Sequence, residues 1–299
     1  MAQLVILDHK NLKNLPFDRK IDVYEVGSQG LSWLLPGHGD PYPDCGQFYY
    51  KGCLGVSAHK QNMLDVHTAG MIYAKRMVST CLRAECPTCY EKWAAKGAHA
   101  ITYRLLEAKK GRMHFGKVVH VTVSLPKSDY HLVDTYPKLR PKIYKMLKKV
   151  GFFGGSMIFH PYRVNKSTKK WYFSPHFHIL GYGWLRGKKV ASVYKSTGYI
   201  VKNHGVRKSV FATALYQLSH AGIKSGTHTI TWFGQLSYNK IKVVPEVVEP
   251  DVCPVCGAKL RSIVWLGPEL TDPLGDRPAG EYWIEPGGWA YSVRGGYPR

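Results

Sequence analysis

The sequence predicts an α+β protein in which helices pack on an antiparallel sheet, with zinc-binding elaborations at both ends. Three observations carry that expectation. The middle of the chain alternates strand and helix patterns in the order β–α–β–β–α–β, which a sheet covered by helices satisfies. The same stretch is free of acid: residues 135–245 hold 20 Lys or Arg and not one Asp or Glu. Cysteines cluster on either side of it, at 81–89 and at 253–256.

The chain has 299 residues, enough for one large domain or two smaller ones. With 44% hydrophobic and 13% aromatic residues it can bury a core, which excludes a wholly disordered protein. No apolar run reaches the roughly 18 residues of a membrane span, and the N-terminus lacks an apolar block after a basic start. The expectation is a cytoplasmic protein without a membrane partner. No Walker-type phosphate loop occurs, so the chain is not expected to hydrolyse ATP. The net charge of +22 divides into +5 over residues 1–134, +20 over 135–245 and −3 over 246–299. A solvated face mixes both signs, so 111 residues without a carboxylate point to a polyanion, whose phosphates release counterions on contact with Lys and Arg.

Three regions follow from the pattern: a cysteine-rich region 1–110, a core 111–245, and a knuckle with a tail at 246–299. In the first, irregular Gly/Pro/Tyr-rich sequence leads into a helix over 90–109, with Trp93, Ile101, Leu105 and Leu106 as apolar positions and Gly111 as its stop. In the core, residues 117–126 alternate, with Val119, Val121, Val123 and Leu125 on one face and His120, Thr122 and Ser124 on the other. A basic helix over 140–151 ends at Gly151. Strands at 156–163 and 171–184 flank a polar loop. A helix over 206–222 carries Phe211, Ala214, Leu215 and Leu218 on one stripe, with Gly222 placed as its cap, and a strand follows at 227–238. The tail EPGGWAYSVRGGYPR reads as too rich in glycine for regular structure.

Seven cysteines in such a chain favour metal over disulfides. Cys81, Cys86 and Cys89 form one group, and Cys253 and Cys256 form a CPxCG knuckle in which Gly257 allows the tight turn after the second thiolate. A tetrahedral zinc ion needs four ligands, so each group is incomplete alone. Cys45, Cys53, His59 and His67 are the available completions. Seven cysteines fill one four-thiolate site plus a mixed one, so Cys253 and Cys256 are expected to recruit a histidine or an N-terminal cysteine and tie the chain's two ends together.

His176-Phe177-His178 is the sharpest local feature. Side chains alternate along a strand, so both imidazoles leave one face and can chelate a single ion. His160 on the preceding strand falls opposite residue 175 within one residue, which makes it the best third ligand, with His120 as runner-up. Tyr216 is the second feature. It lies off the apolar stripe of its helix, about 150° away, beside Ser209, Thr213 and His220, and His220 one turn on can reach its phenol.

With these residues in view, the chain resembles the HUH endonucleases of the rolling-circle replication initiator (Rep) class. VVHVTVS matches their hydrophobic strand with Thr, PHFHILGYG their paired histidines, and ALYQLSHAG their helix-borne tyrosine. With CPTCYEKW upstream and CPVCG downstream, the pattern looks most like initiators of small archaeal plasmids and viruses. The resemblance covers roughly residues 80–260. Many members carry Lys three residues after the tyrosine; here Ser219 stands there, with His220 and Lys224 as substitutes.

The resemblance implies a ferredoxin- or RRM-like nuclease core. It also implies that Mg²⁺ or Mn²⁺ held by His160, His176 and His178 polarises a phosphate, and that Tyr216, helped by His220, attacks it to form a 5′-phosphotyrosine and a 3′-hydroxyl primer. The substrate would be single-stranded DNA at a replication origin, with host replication proteins as further partners. Arg163, Lys169, Lys170, Arg186, Lys188, Lys189, Arg207, Lys208 and Lys224 are the candidate DNA contacts, and Zn²⁺ on Cys45, Cys53, Cys81, Cys86, Cys89, Cys253 and Cys256 the structural metal. The competing readings are a single-tyrosine HUH transposase, a relaxase, and a zinc-containing nucleic-acid-binding protein without catalysis.

Overall fold

The computed structural model describes residues 24–25, 33–62, 70–110, 112, 114–165, 167–168, 170–243, 250–267 and 273–292. Along the chain run β1 (Tyr24–Glu25), β2 (Phe48–Cys53), α1 (Val56–Asn62), β3 (Ile72–Val78) and α2 (Tyr90–Lys109). Then come β4 (Val119–Ser124), a 3-10 segment (Lys127–Val133), α3 (Tyr136–Val150), β5 (Phe152–Val164) and β6 (Trp171–Gly183). The order continues with α4 (Gly187–Thr197), β7 (Ile200–Val206), α5 (Val210–Ser219) and β8 (Ile230–Gly234). It closes with β9 (Arg261–Trp265), β10 (Gly280–Ile284) and β11 (Trp289–Tyr291).

These elements form two compact units, residues 1–41 with 82–244 and residues 42–81 with 245–299. The division differs from the three consecutive regions 1–110, 111–245 and 246–299. The long helix α2 belongs with the core because its stripe of Ala94, Ala98, Ile101 and Leu105 packs with Ala214, Leu215 and Leu218 of α5. Burying Ile101 and Leu105 alone contributes about 1.5–3 kcal/mol each. Gly97 lets the helices approach, since a Cβ there would stand 2.8 Å from Leu218 Cδ1. Leu106, expected on that stripe, is 55% exposed instead.

In the first unit the strands run in the order β7-β4-β6-β5-β8, antiparallel throughout, and β1 adds to β6 in parallel. One face carries Val121, Val123, Phe177 and Ile179 against Leu139, Ile143 and Leu147 of α3 and Val193 of α4. The other carries Ile158, Leu180 and Tyr182 against α2 and α5. The sheet is thus a middle layer between two pairs of helices. Gly155 and Gly181 face each other across the two central strands, and a Cβ on Gly181 would meet the Gly154 carbonyl at 2.1 Å. The glycines that break the hydrophobic run of β6 are therefore what allows its close pairing.

Several boundaries move. β5 and β6 are 13 residues each, and α3 begins a turn earlier than expected, through two prolines. Gly151 does end α3, at φ 100°. The helix expected over 206–222 is α5 alone, capped at its start by Ser209 Oγ accepting from the Ala212 amide at 3.1 Å. Of its expected front end, Val206 closes strand β7 and residues 207–209 link it to α5, whose last residue is followed by His220 rather than by a Gly222 cap. Gly222 instead gives its amide to the Phe159 carbonyl at 2.8 Å. The helix α4 had no sequence counterpart, and Gly111 lies outside the described residues.

The second unit is a five-stranded antiparallel sheet in the order β10-β3-β2-β9-β11, with Ile72, Ala74, Ile263, Leu274, Ile284 and Trp289 as its core. This corrects the irregular reading of the N-terminal region and of the tail, where Trp289–Tyr291 pairs with β9. Its strands are three to seven residues long, and β2 pairs with a partner some 200 residues away, Gly52 with Arg261. Strand formation there depends on partners the local sequence does not contain. Among the described residues no helix is long and apolar enough to cross a membrane.

Candidate functional site

His160 on β5 and His176 on β6 are direct cross-strand partners, one residue from the expected pairing with 175. His178 follows on the same face, its ring centroid 4.3 Å from that of His160 and 5.0 Å from that of His176. The ladder between β5 and β6 is interrupted just beyond His160 by a bulge that sets Pro161 against Ser174 and Pro175, and neither proline has an N–H to give. The three ligand-capable nitrogens lie within 4.8 Å of one another, so the trio could hold a metal ion.

Its surroundings fit that use. His160 Nε2 donates to the Gln217 carbonyl at 2.7 Å and His176 Nδ1 to the Ser174 carbonyl at 2.8 Å. A carbonyl only accepts, so each contact places the proton on one ring nitrogen and leaves a lone pair on the other; at His176 Nδ1 the 2.8 Å carbonyl contact prevails over the longer 3.4 Å approach of Arg163 Nε. Burial holds His160 and His178 well below the usual histidine value and brings His176 down to about 3. Neutral imidazoles are the form that ligates. His120, the runner-up, is not a member of the trio. Its Nε2 lies 2.8 Å from His178 Nδ1, and its Nδ1 accepts from Arg207 at 2.9 Å. Burial, with His204 and Arg207 beside it, lowers His120 to about 3.

The trio opens on a cleft of about 750 Å³ that Tyr216, His220, Trp171, Tyr172, Arg163 and Lys202 also line. Tyr216 is 48% exposed, as its place off the apolar stripe required. Its ring lies 5.1 Å from that of His220, but the contacts of His220 differ from those expected. His220 Nδ1 meets the Tyr216 carbonyl at 3.1 Å and Ser219 Oγ at 2.8 Å, because residue 220 sits at the C-terminal end of α5, where main-chain carbonyls lack helical partners. Burial lowers His220 as well. Tyr199 is buried with its hydroxyl on Asp129 and does not line the cleft.

The candidate DNA contacts divide. Arg163 lines the cleft and donates to Ser124 Oγ at 2.7 Å. Arg207 is held on His120, and Lys224 lies over the Trp33 ring. Arg186, Lys188 and Lys189 start α4, in the helix layer opposite the histidines, so the fold does not bring them to the cleft. Lys170 and Lys208 do not line it either, and Lys169 lies outside the described residues. The sequence reading missed Lys202 and His204, both at the cleft. Strand β7 carries them, and alternation in IVKNHGV was the available signal.

In the second unit Cys53, His59, Cys253 and Cys256 bring four ligand atoms within 4.8 Å of one another, a set that could hold a metal such as zinc. Cys53 Sγ is 3.5 Å from Cys256 Sγ, and Cys253 Sγ 3.3 Å from His59 Nε2. His59 Nδ1 faces the Met71 carbonyl at 3.0 Å, which leaves Nε2 for the ion. Burial pushes Cys53 up to about 12. Burial also acts on Cys256, but the Ala258 amide and the neighbouring Cys53, His59 and Cys253 outweigh it and pull that thiol down to about 7. Of two thiols sharing a hydrogen bond, one gives up its proton first. Cys45 and Cys81 have sulfurs 3.8 Å apart in this unit. Cys86 and Cys89 belong to the first unit, where the Cys89 amide donates to the Cys86 carbonyl at 3.1 Å just before α2. His67 lies outside the described residues.

Comparison of the chain with known protein families, with curated proteins and with solved structures gives no match.

Proposed function

We propose that the protein is a metal-dependent nickase and strand-joining enzyme for single-stranded DNA, an HUH endonuclease that initiates rolling-circle replication. One observation carries the reading: three neutral histidines share a cleft with an exposed tyrosine, a half-buried histidine beside it and a cationic lip. A core tyrosine would not leave the apolar stripe of its helix, and buried histidines kept only for packing would not gather their ring nitrogens within 4.8 Å beside it.

The residues divide the work as follows. His160, His176 and His178 would hold Mg²⁺ or Mn²⁺, which when bound supplies Lewis-acid stabilisation of the phosphate's developing charge. An all-nitrogen set also accepts later first-row metals. Arg163 and Lys202 hold flanking phosphates, and Tyr172 offers an exposed ring for a base to stack on. The Tyr216 phenol oxygen attacks phosphorus, the P–O3′ bond breaks, and the departing 3′-oxygen takes up a proton. His220 Nδ1 gives its proton to oxygen acceptors, which leaves its other nitrogen free to take the phenol proton. The phosphotyrosine keeps the energy of the broken ester, so a later 3′-hydroxyl can reverse the step without ATP. The thiolate–histidine site, closed by four protein ligands, serves the scaffold as a zinc site.

The test is capture of covalent adducts from a randomised single-stranded oligonucleotide library with Mn²⁺. The wild-type chain is expected to yield adducts of one sequence class. Tyr216→Phe is expected to lose them by at least about 1,000-fold while binding DNA normally, because only the nucleophilic oxygen is gone. Adducts from Tyr216→Phe would overturn the assignment of Tyr216 as nucleophile, and none from the wild type would remove the enzyme reading in favour of a non-catalytic nucleic-acid-binding protein.

A further inference from the structure

Two of the three metal-facing histidines have the tautomer a ligand needs, and the third does not. His178 has no carbonyl partner. Its Nδ1 lies 2.8 Å from His120 Nε2, and His120 Nδ1 lies 2.9 Å from a guanidinium nitrogen of Arg207. A guanidinium only donates, so His120 Nδ1 accepts. Neutral His120 therefore carries its proton on Nε2 and donates it to His178 Nδ1. Neutral His178 then has its own proton on Nε2 and no lone pair to offer an ion there.

For His178 to ligate through Nε2, the pair must change tautomer together. His178 releases its Nε2 proton to solvent and takes the His120 Nε2 proton on Nδ1. His120 takes a proton from solvent on Nδ1, so the pair gains and loses none overall. An Nδ1–H cannot face a guanidinium N–H, and Arg207 must swing off. The held state is not fully satisfied, since Arg207 Nε is buried without a hydrogen-bond partner. A DNA phosphate offers that guanidinium the bidentate acceptor it lacks.

We propose that His120 and Arg207, just behind the cleft lining, are positioning residues that couple two ligands: a divalent ion on His178 and a DNA phosphate on Arg207 each favour the state in which Arg207 has left His120. The inference rests on the proposed nuclease reading for what binds, and it adds that metal and DNA bind cooperatively through this pair, by linkage rather than only by direct contact. The carboxylate that often orients a metal-bound histidine has no source in an acid-free segment, and this device takes its place.

The test is a double-mutant cycle on Mn²⁺ binding to the full chain without DNA, followed by the electron paramagnetic resonance of free Mn²⁺, with His176→Ala marking the signal from this cleft. Arg207→Ala is expected to tighten Mn²⁺ about tenfold in the wild-type background. In a His120→Phe background it is expected to change binding by less than about twofold, because nothing is left for Arg207 to lock. Equal tightening in both backgrounds would mean plain charge repulsion and overturn the proposal, as would no tightening in either. If His120→Phe does not fold, ring ¹⁵N shifts of histidine-labelled wild-type protein decide. Addition of Mg²⁺ is expected to move the His120 proton from Nε2 to Nδ1, and an unmoved proton in a metal-loaded cleft would overturn the proposal. A wild-type chain with no Mn²⁺ signal removed by His176→Ala would be a different failure, that of the nuclease reading itself.

Discussion

The two histidine-bearing clusters of this chain use similar atoms to opposite ends. In the second unit, Cys53 and His59 meet Cys253 and Cys256 across some 200 residues of sequence, and four ligand-capable atoms lie within 4.8 Å of one another. In the first unit, three histidines from two adjacent strands converge, and the remaining side opens on a cleft with a tyrosine in it. Four ligands closing a long loop make a staple, whose binding energy is folding energy. Three ligands held by a prebuilt sheet make a site that can exchange a ligand, because the ladder hydrogen bonds of β5 and β6, not the ion, hold them together. On the proposed reading, ligand count and the source of rigidity separate a structural centre from a reactive one.

That contrast can be broken most forcefully by removing one ligand from each cluster. Cys253→Ser is expected to lower the zinc content and the melting temperature together, since structural zinc is worth about 10–16 kcal/mol in small zinc-dependent folds. His176→Ala is expected to leave zinc and melting temperature nearly unchanged while costing more than about 100-fold in divalent-dependent adduct formation. Elemental analysis and thermal melts on both variants check the pair. Equal zinc loss from the two, or an unaltered melt for Cys253→Ser, would erase the distinction.

Acid sharpens it at intermediate scale. His120 and His176 sit near 3 in the folded chain against about 6.5 in the unfolded one, so the unfolded state binds more protons between those values. The stability this represents is complete above pH 6.5 and is lost as pH falls towards 3, at up to about 1.4 kcal/mol per unit for each histidine. Melting temperatures of the chelated protein should fall from pH 6.5 to pH 4, and Mn²⁺ should delay the fall. A melting temperature independent of pH would show that these imidazoles are not held neutral.

The smallest effect concerns the cationic lip. Lys202→Ala is expected to reduce the slope of log affinity against log salt for single-stranded DNA by about 0.7, one phosphate contact, and Lys188→Ala on the opposite layer to leave it alone. Titrations at several salt concentrations test this. Equal slopes for the two variants would mean that the acid-free block binds DNA over both faces of the sheet.

How much of this was legible beforehand follows from the range of each signal. Alternation along 117–126, the pair His176 and His178 on one face, and the stripe that leaves Tyr216 outside it are set by periods of two and 3.6 residues, which any reader of the chain can count. The His160–His176 pairing came within a residue because a short loop restricts register. The strands of the second unit were invisible because their partners are remote, and Lys202 and His204 were missed because residues 185–205, between the expected strand and the expected helix, were given no element. His220 was placed on the right helix end, but its carbonyl contacts depend on where α5 stops.

The sequence by itself determined the α+β class, the acid-free cationic block and the residue types able to ligate a metal, because composition and periodicity are local and additive. The tertiary structure alone decided that His59 and Cys53 complete the Cys253–Cys256 pair, that α4 turns three of the basic candidates away from the histidines, and that Arg207 reaches His120. Each of those depends on which residues distant in sequence end up a few ångströms apart. That is settled by strand pairing in one sheet and by the packing of helices on both faces of the other, and no window of sequence contains it.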